Sequence, residues 1–203
     1  LNCRVWGKPG RTPILLMHGT NYYDSSDWVE VGRALATDRE VAAHDKRGFG
    51  RSTWSPSKDY SADAHLADAN AVISKLRWQK PIIVGHSSSG RLVVSFAVSF
   101  PDRLSKLVIA DSGFEREGSE AVRRSTGNPP TKFKTVEDAM AHFAKLSNPP
   151  RIAKDRARAL EALTKLENGY ALKRDPDHAN ANPVGETEGL PRRPPGDIWS
   201  ELQ

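Results

Sequence analysis

This sequence of 203 residues has few of the features that identify disulfide-bonded, membrane or secreted proteins. Cys3 is the single cysteine, which excludes an internal disulfide and a cysteine-based metal site. No apolar run approaches the roughly 18 residues that span a bilayer. No charged segment followed by an apolar one marks a secretory signal at the start. We therefore expect a cytoplasmic protein with no membrane partner.

The excess of positive charge is also weak. The formal net charge is +5, but Lys and Arg alternate with acidic residues, as in segment 151–158. This mixture is typical of a solvated helix surface. No interleaved aromatic residues and no nucleic-acid-binding motif accompany it. We expect no nucleic-acid partner, and the sequence carries no signal of the oligomeric state.

Short apolar runs alternate with amphipathic stretches in the first half of the chain. Runs typical of strands lie at 2–6, 13–18, 40–44, 81–84 and 104–110, and apolar residues recur at helical spacing in 26–36, 61–78 and 88–100. This order predicts right-handed βαβ units. The predicted fold class is therefore α/β, with a doubly wound, mostly parallel sheet.

The second half is less regular. Two amphipathic segments and one short apolar run predict two helices and a strand, at 135–146, 150–166 and 170–173. Thr135 begins a capping sequence for the first helix, and Asn168-Gly169 ends the second. Residues 179–196 are rich in Pro, Gly and polar residues, a composition typical of a mobile loop.

The segment Gly85-His86-Ser87-Ser88-Ser89 follows a predicted buried strand and precedes an apolar helix. A serine hydroxyl is a poor nucleophile unless a base takes its proton, donors hold the oxyanion and the group is exposed. A tight strand–turn–helix provides the exposure. The match to G-x-S-x-G is imperfect, because Ser89 occupies the last glycine position and Gly90 follows it. The context predicts that Ser87 is the nucleophile.

Two loops complete the predicted site. In this architecture the loop after the strand at 13–18 supplies an oxyanion donor, so we assign the backbone N–H groups of Thr20 and Ser88 to that role. His18 is expected to order this loop through hydrogen bonds. In the glycine-containing loop 45–52, Asp45 and Arg47 are expected to fix the loop geometry.

Residues 13–112 resemble the α/β-hydrolase superfamily, in its branch of small esterases, enol-lactonases, C–C hydrolases and haloperoxidase-like enzymes. The matching blocks cover about half of the chain: 18–20, 45–52, 85–90, 100–103 and 107–111. The resemblance implies strands two to six of a doubly wound sheet, with a helical cap inserted after the sixth strand. It implies three parts, namely the N-terminal part of the core at 1–112, a cap and mobile loop at 113–196, and the start of the return to the core at 197–203.

The resemblance also implies where the other catalytic residues belong. In this family the acid and then the histidine follow the nucleophile, on strands seven and eight. The sequence resembles a hydrolase truncated before those strands, so the base is expected beyond Gln203. Asp111 is a further candidate for the acid, because some relatives place it after the sixth strand. The histidines at 65, 142 and 178 follow no predicted strand and are expected at the surface.

The sequence therefore predicts a serine hydrolase that acts on a small carboxylic ester or lactone through an acyl-enzyme on Ser87. It predicts no cofactor and no metal, because the run Asp175-Pro176-Asp177-His178 lacks partner ligands at useful spacing. C–C bond hydrolysis and perhydrolysis share the same triad. The alternative is a catalytically incomplete α/β-hydrolase fragment or a ligand-binding module that lacks the triad acid and histidine.

Overall fold

The structure is a computed structural model that describes residues 1–20, 22–112 and 130–179. Five strands form the main sheet: β1 (Cys3–Trp6), β2 (Arg11–Met17), β3 (Arg39–His44), β4 (Ile82–His86) and β5 (Lys106–Ala110). Their spatial order is β1-β3-β2-β4-β5. Strand β1 is antiparallel to β3, and the other neighbours are parallel. The predicted mostly parallel, doubly wound sheet is confirmed.

Apolar side chains cover both faces of this sheet because they alternate along its buried strands. Leu15 and Met17 face one core, which contains Leu66, Ile73 and Phe96 of two helices. Ile14 and Leu16 face the opposite core, beside Trp6 and Trp28. The helices of this part are α1 (Val29–Leu35), α2 (Ala62–Lys75) and α3 (Ser89–Ser99), with short 3-10 helices at Ser25–Trp28 and Pro101–Arg103.

Residues 130–179 form a second lobe with its own apolar core. Its elements are β6 (Lys132–Phe133), α4 (Val136–Ala144), α5 (Arg151–Lys154), α6 (Arg156–Ala162), β7 (Leu163–Leu166), β8 (Gly169–Leu172) and a 3-10 helix at Pro176–Ala179. The three strands form an antiparallel sheet in the order β6-β8-β7. Thr135 caps α4 as predicted, in a reciprocal capping box with Asp138.

The predicted single helix at 150–166 is wrong. Asp155 has an extended backbone that ends α5, and its carboxylate accepts the Ala157 and Arg158 N–H groups at the start of α6. Residues from Leu163 onward form a strand because they pair with β8 in a hairpin, with Leu163 opposite Leu172. The described part of the segment that was predicted to form a helical cap is therefore a mixture of helices and strands. The short strand predicted at 170–173 is confirmed as β8.

Two further expectations concern residues that the structure does not describe. The predicted loop after residue 179 and the predicted return to the core at 197–203 lie outside the described residues. Within the described ranges, every helix is too short or too polar to pass through a bilayer.

Candidate active site

Ser87 lies directly after β4, on a strained turn. Its φ is +53°, in the left-handed region that residues other than glycine rarely adopt. Its N–H donates to the Ala110 carbonyl across the β4–β5 pair at 2.9 Å, and its own carbonyl accepts the Gly90 N–H at 2.9 Å. The predicted strand–turn–helix is therefore present, and it holds a half-buried serine at its tip.

Two glycines make this turn possible. A Cβ on Gly85 would lie 2.3 Å from the Ser89 carbonyl oxygen, and a Cβ on Gly90 would lie 2.4 Å from the Ser112 side chain. Ser89, at the position where a glycine was expected, is fully buried and donates its hydroxyl hydrogen to the His18 carbonyl at 2.6 Å. The turn accepts serine there because the hydroxyl has a partner.

The loop His18-Gly19-Thr20 passes close to Ser87. A Cβ on Gly19 would lie 3.1 Å from the Cβ of Ser87, so the backbone of this loop lies directly against that side chain. Ser88 is the residue from which α3 starts. The two N–H groups predicted to hold an oxyanion, those of Thr20 and Ser88, thus lie on the two segments that meet at Ser87.

The His18 ring is hydrogen bonded on both sides. Its Nε2 accepts the Lys46 N–H at 3.0 Å, so its Nδ1 carries the hydrogen and donates to the Gly19 carbonyl at 2.7 Å. Burial, with the charge of Lys46 next, lowers the pKa of His18 well below its usual value. His18 is therefore a neutral group that orders the loop, as predicted.

Asp45 and Arg47 hold the loop after β3, also as predicted. The Asp45 carboxylate accepts the Ser25 N–H at 2.7 Å and the Arg51 N–H at 2.8 Å. Arg47 makes a bidentate ion pair with Asp68 of α2, with N–O distances of 2.7 and 2.8 Å. Both side chains are committed to loop geometry.

Asp111 occupies the position after β5 that corresponds to Ser87 after β4. It is exposed, and its φ is +49°. Burial lowers the pKa of His86, and the charge of Asp111 acts in the opposite direction, so the two residues lie within electrostatic range. No hydrogen bond joins Ser87 or Asp111 to a histidine in the part of the chain that the structure describes.

Two of the three histidines expected at the surface are buried, and that expectation is wrong for them. His65 is 1% exposed because it lies on the inward face of α2, and His178 is 7% exposed. The 3-10 helix after β8 inserts the His178 ring between Phe49 and Tyr60, with ring centroids 4.5 and 4.7 Å away. Burial lowers the pKa of His178 to about 3. His142 is half-buried on α4.

Lys46 is a residue of the site that sequence reasoning missed. It is 1% exposed, donates from Nζ to the Ser89 hydroxyl at 3.2 Å and lies 5.5 Å from the centroid of the Phe49 ring. No strand periodicity singles it out, because residues 41–46 are all buried and β3 ends at His44.

A small cleft, partly open to solvent, lies between the second lobe and the main sheet. Residues of both parts line it: Tyr22, Tyr23, Asp24, Phe49, Ala162, Leu172, Lys173 and Arg174. The Tyr23 ring also packs edge-on against His86, the residue before Ser87, at 4.8 Å between centroids. Across residues 1–20, 22–112 and 130–179, no three His, Cys, Asp or Glu side chains are grouped to hold a metal ion.

The fold agrees with comparisons to known proteins. The family model of the α/β hydrolase fold matches residues 12–179, and the chain belongs to this family. Over 107 residues it is 30% identical to the sn-1-specific diacylglycerol lipase ABHD11 of Danio rerio, a match that covers 52% of this chain and 33% of that lipase. The chain spans well under half of the length of the curated relatives it matches.

Solved structures support the same fold. An α/β hydrolase from Novosphingobium aromaticivorans has a TM-score of 0.78 at 23% identity, with 98% of this chain and 72% of that chain covered. An E-2-(acetamidomethylene)succinate hydrolase has a TM-score of 0.76 at 23% identity, with 90% of this chain and 67% of that chain covered. At this identity the likeness shows the fold alone.

Proposed function

We propose that this protein is part of a serine hydrolase that cleaves carboxylic esters or lactones through an acyl-enzyme on Ser87. The observation that carries the proposal is the left-handed turn at Ser87, with φ +53°, placed against the Gly19 backbone. A strained, rigid turn keeps the hydroxyl at the tip and leaves room for a substrate carbonyl.

In the proposed mechanism, Ser87 Oγ attacks the carbonyl carbon while a histidine takes the hydroxyl proton. The negative charge that develops on the carbonyl oxygen is held by the N–H groups of Thr20 and Ser88, and the N-terminal dipole of α3 adds to this stabilisation. The histidine then protonates the leaving alcohol, and water hydrolyses the acyl-enzyme. The proposal leaves this histidine unassigned and keeps Asp111 as one candidate for the acid.

A second candidate function is a catalytically incomplete α/β-hydrolase fragment or a ligand-binding module. It is favoured by one observation, namely that Ser87 has no hydrogen-bonded histidine among the described residues. Such a chain would retain the fold and the site geometry without activating the serine.

A fluorophosphonate probe, which reacts with activated serines, tests both candidates. It is applied to the protein in its full reading frame and to the 203-residue chain. We expect Ser87 to be labelled in the full protein, no labelling after Ser87→Ala, and continued labelling after Ser88→Ala, because that substitution keeps the backbone N–H. Labelling of the full protein alone would assign the 203-residue chain to the second candidate. If neither form is labelled, Ser87 is not the nucleophile.

A further inference from the structure

Lys46 and Ser89 are buried polar residues that the mechanism above does not use. Lys46 follows β3 and is 1% exposed, and Ser89 is the first residue of α3 and is fully buried. Such groups remain buried at a large cost in desolvation unless they make hydrogen bonds. The structure shows what those bonds connect.

The directions of the hydrogen bonds follow from the chemistry of the groups. The Ser89 hydroxyl has a single hydrogen, which it donates to the His18 carbonyl at 2.6 Å. Its oxygen can therefore only accept from Lys46 Nζ, at 3.2 Å. The Lys46 backbone N–H in turn donates to His18 Nε2 at 3.0 Å. These bonds form a closed circuit through three segments, which are the end of β3, the loop after β2 and the start of α3.

Two of these segments carry the proposed oxyanion donors. His18 begins the loop that contains Thr20, and Ser89 follows Ser88. The distance between the two donor N–H groups sets where an oxyanion fits, and a displacement of about 1 Å has large effects on catalysis. A contact that fixes the loop relative to α3 therefore acts on the chemistry without touching the substrate.

We propose that Lys46 and Ser89 are positioning residues that hold the oxyanion loop against the start of α3. The catalytic consequence rests on the proposed function. The link itself, meaning the hydrogen bonds that join His18, Lys46 and Ser89, does not. The link gives a physical reason for serine in place of the expected glycine at position 89. A glycine there has no hydroxyl to bridge His18 and Lys46.

The link does not depend on the charge of Lys46. Burial, and next the positive charge of Arg174, lower the pKa of Lys46 to about 7. The imidazoles that also face it come from several elements: His18, His44, His65, His86 and His178. Both the ammonium and the neutral amine have N–H donors, so the bond to Ser89 persists on either side of neutrality.

Amide hydrogen exchange in the full protein tests the link directly. The Tyr23 N–H donates to the Thr20 carbonyl and reports on the oxyanion loop. We expect Ser89→Ala and Lys46→Met each to speed its exchange by about 10-fold. The double variant should add little, because either substitution alone opens the same circuit. Lys75→Met removes an exposed lysine of α2 and should change nothing.

Unchanged Tyr23 exchange in both single variants would overturn the proposal. If Lys46→Met does not fold, Ser89→Ala and Ser89→Gly decide the outcome, since both remove the hydroxyl without adding bulk at that position. These measurements do not require an active enzyme, so they stand even if Ser87 proves not to be a nucleophile.

Fluorophosphonate kinetics test the catalytic consequence. We expect the maximal labelling rate of Ser87 to fall by about 10-fold in Ser89→Ala, Ser89→Gly and Lys46→Met, with an unchanged half-saturating probe concentration. The reduction should be the same at pH 6 and pH 8.5. Equal labelling rates in all variants would reject the positioning role and leave the nucleophile assignment intact. Labelling absent from the unsubstituted protein would instead reject the proposed function.

Discussion

At the scale of single residues, the proposed nucleophile is one of the few described residues other than glycine that have a left-handed backbone. A left-handed backbone costs a residue with a Cβ on the order of 1 kcal/mol. The hydrogen bonds of Ser87 to Ala110 and Gly90 hold it in that conformation. Glycine adopts the same φ without this cost.

Replacing Ser87 should therefore separate stability from reactivity. We expect Ser87→Gly to raise the free energy of unfolding by about 0.5 kcal/mol, the balance of relieved strain and greater chain entropy, while abolishing fluorophosphonate labelling. Ser95→Gly, in the regular interior of α3, should lower the free energy of unfolding by about 0.5 kcal/mol. Urea denaturation measures both. Equal destabilisation by the two substitutions would contradict the prediction.

Sequence reasoning identified residues whose role is set by neighbours in a motif. His18, Asp45 and Arg47 belong to loops with recognisable glycines, and the structure gives each the expected ordering role. Lys46 was missed because its partner Ser89 lies 43 residues away along the chain. A local pattern carries no information about which distant segment a side chain meets.

At the scale of elements, the strands and helices of the main sheet were predictable because their apolar periodicity is strong. Segment 150–166 was not, because its residues are good helix formers throughout. Two tertiary features override that preference. Asp155 caps a new helix, and the strand that begins at Leu163 pairs with β8.

The 3-10 helix at Pro176–Ala179 carries the buried His178, and this residue should make the free energy of unfolding fall in acid. Burial keeps the pKa of His178 at about 3, below the roughly 6.5 of an unfolded chain. Between these values the unfolded state binds the extra proton, so stability is lost as the pH falls from 6.5 towards 3. We expect His178→Phe, which keeps a ring beside Phe49, to reduce the slope by about 1 kcal/mol per pH unit.

Chemical denaturation at pH 4, 5, 6 and 8 measures this effect. Near pH 8 the His178 imidazole is neutral in both the folded and the unfolded state. The free energies of unfolding of the unsubstituted protein and His178→Phe should therefore change with pH in nearly the same way there. An unchanged slope between pH 4 and 6 would show that His178 does not titrate on unfolding.

At the scale of the whole molecule, buried charges connect the second lobe to the main sheet. Arg158 of α6 is 3% exposed and binds Asp27 through Nη2 at 2.8 Å, Asp24 at 3.1 Å and the Tyr22 carbonyl at 3.2 Å. Arg4 of β1 pairs with Glu161 beside it. The expectation that the basic run 151–158 forms a solvated surface is therefore wrong for Arg158, because α6 turns it towards two carboxylates.

Breaking this interface should be costly. Arg158→Met leaves the buried Asp24 and the half-buried Asp27 without their cation, and we expect the free energy of unfolding to fall by about 3 kcal/mol. The matched control is Arg156→Met on the same helix, whose pair with Glu137 is exposed and should contribute less than about 1 kcal/mol. Urea denaturation of both variants measures the difference. Similar losses would mean that Arg158 does not join the two parts.

This interface could not be predicted from the sequence, because Arg158 and Asp27 are separated by 131 residues. The main sheet could be predicted, since each of its βα units carries its own periodicity. The proposed nucleophile could also be predicted from the sequence, because it depends on one local turn.

The glycines around Ser87 determine which sequence pattern can detect proteins of this kind. A methyl group on Gly85 would collide with the Ser89 backbone, and one on Gly90 would collide with the Ser112 side chain. Position 89 accepts a hydroxymethyl group, whose hydroxyl donates to the His18 carbonyl. A search that demands glycine two residues after the serine would discard this chain. In this chain, glycine lies two residues before and three residues after the serine, and a lysine lies between the aspartate and the arginine of the loop after β3. A pattern with these requirements would instead retrieve homologues that share this arrangement.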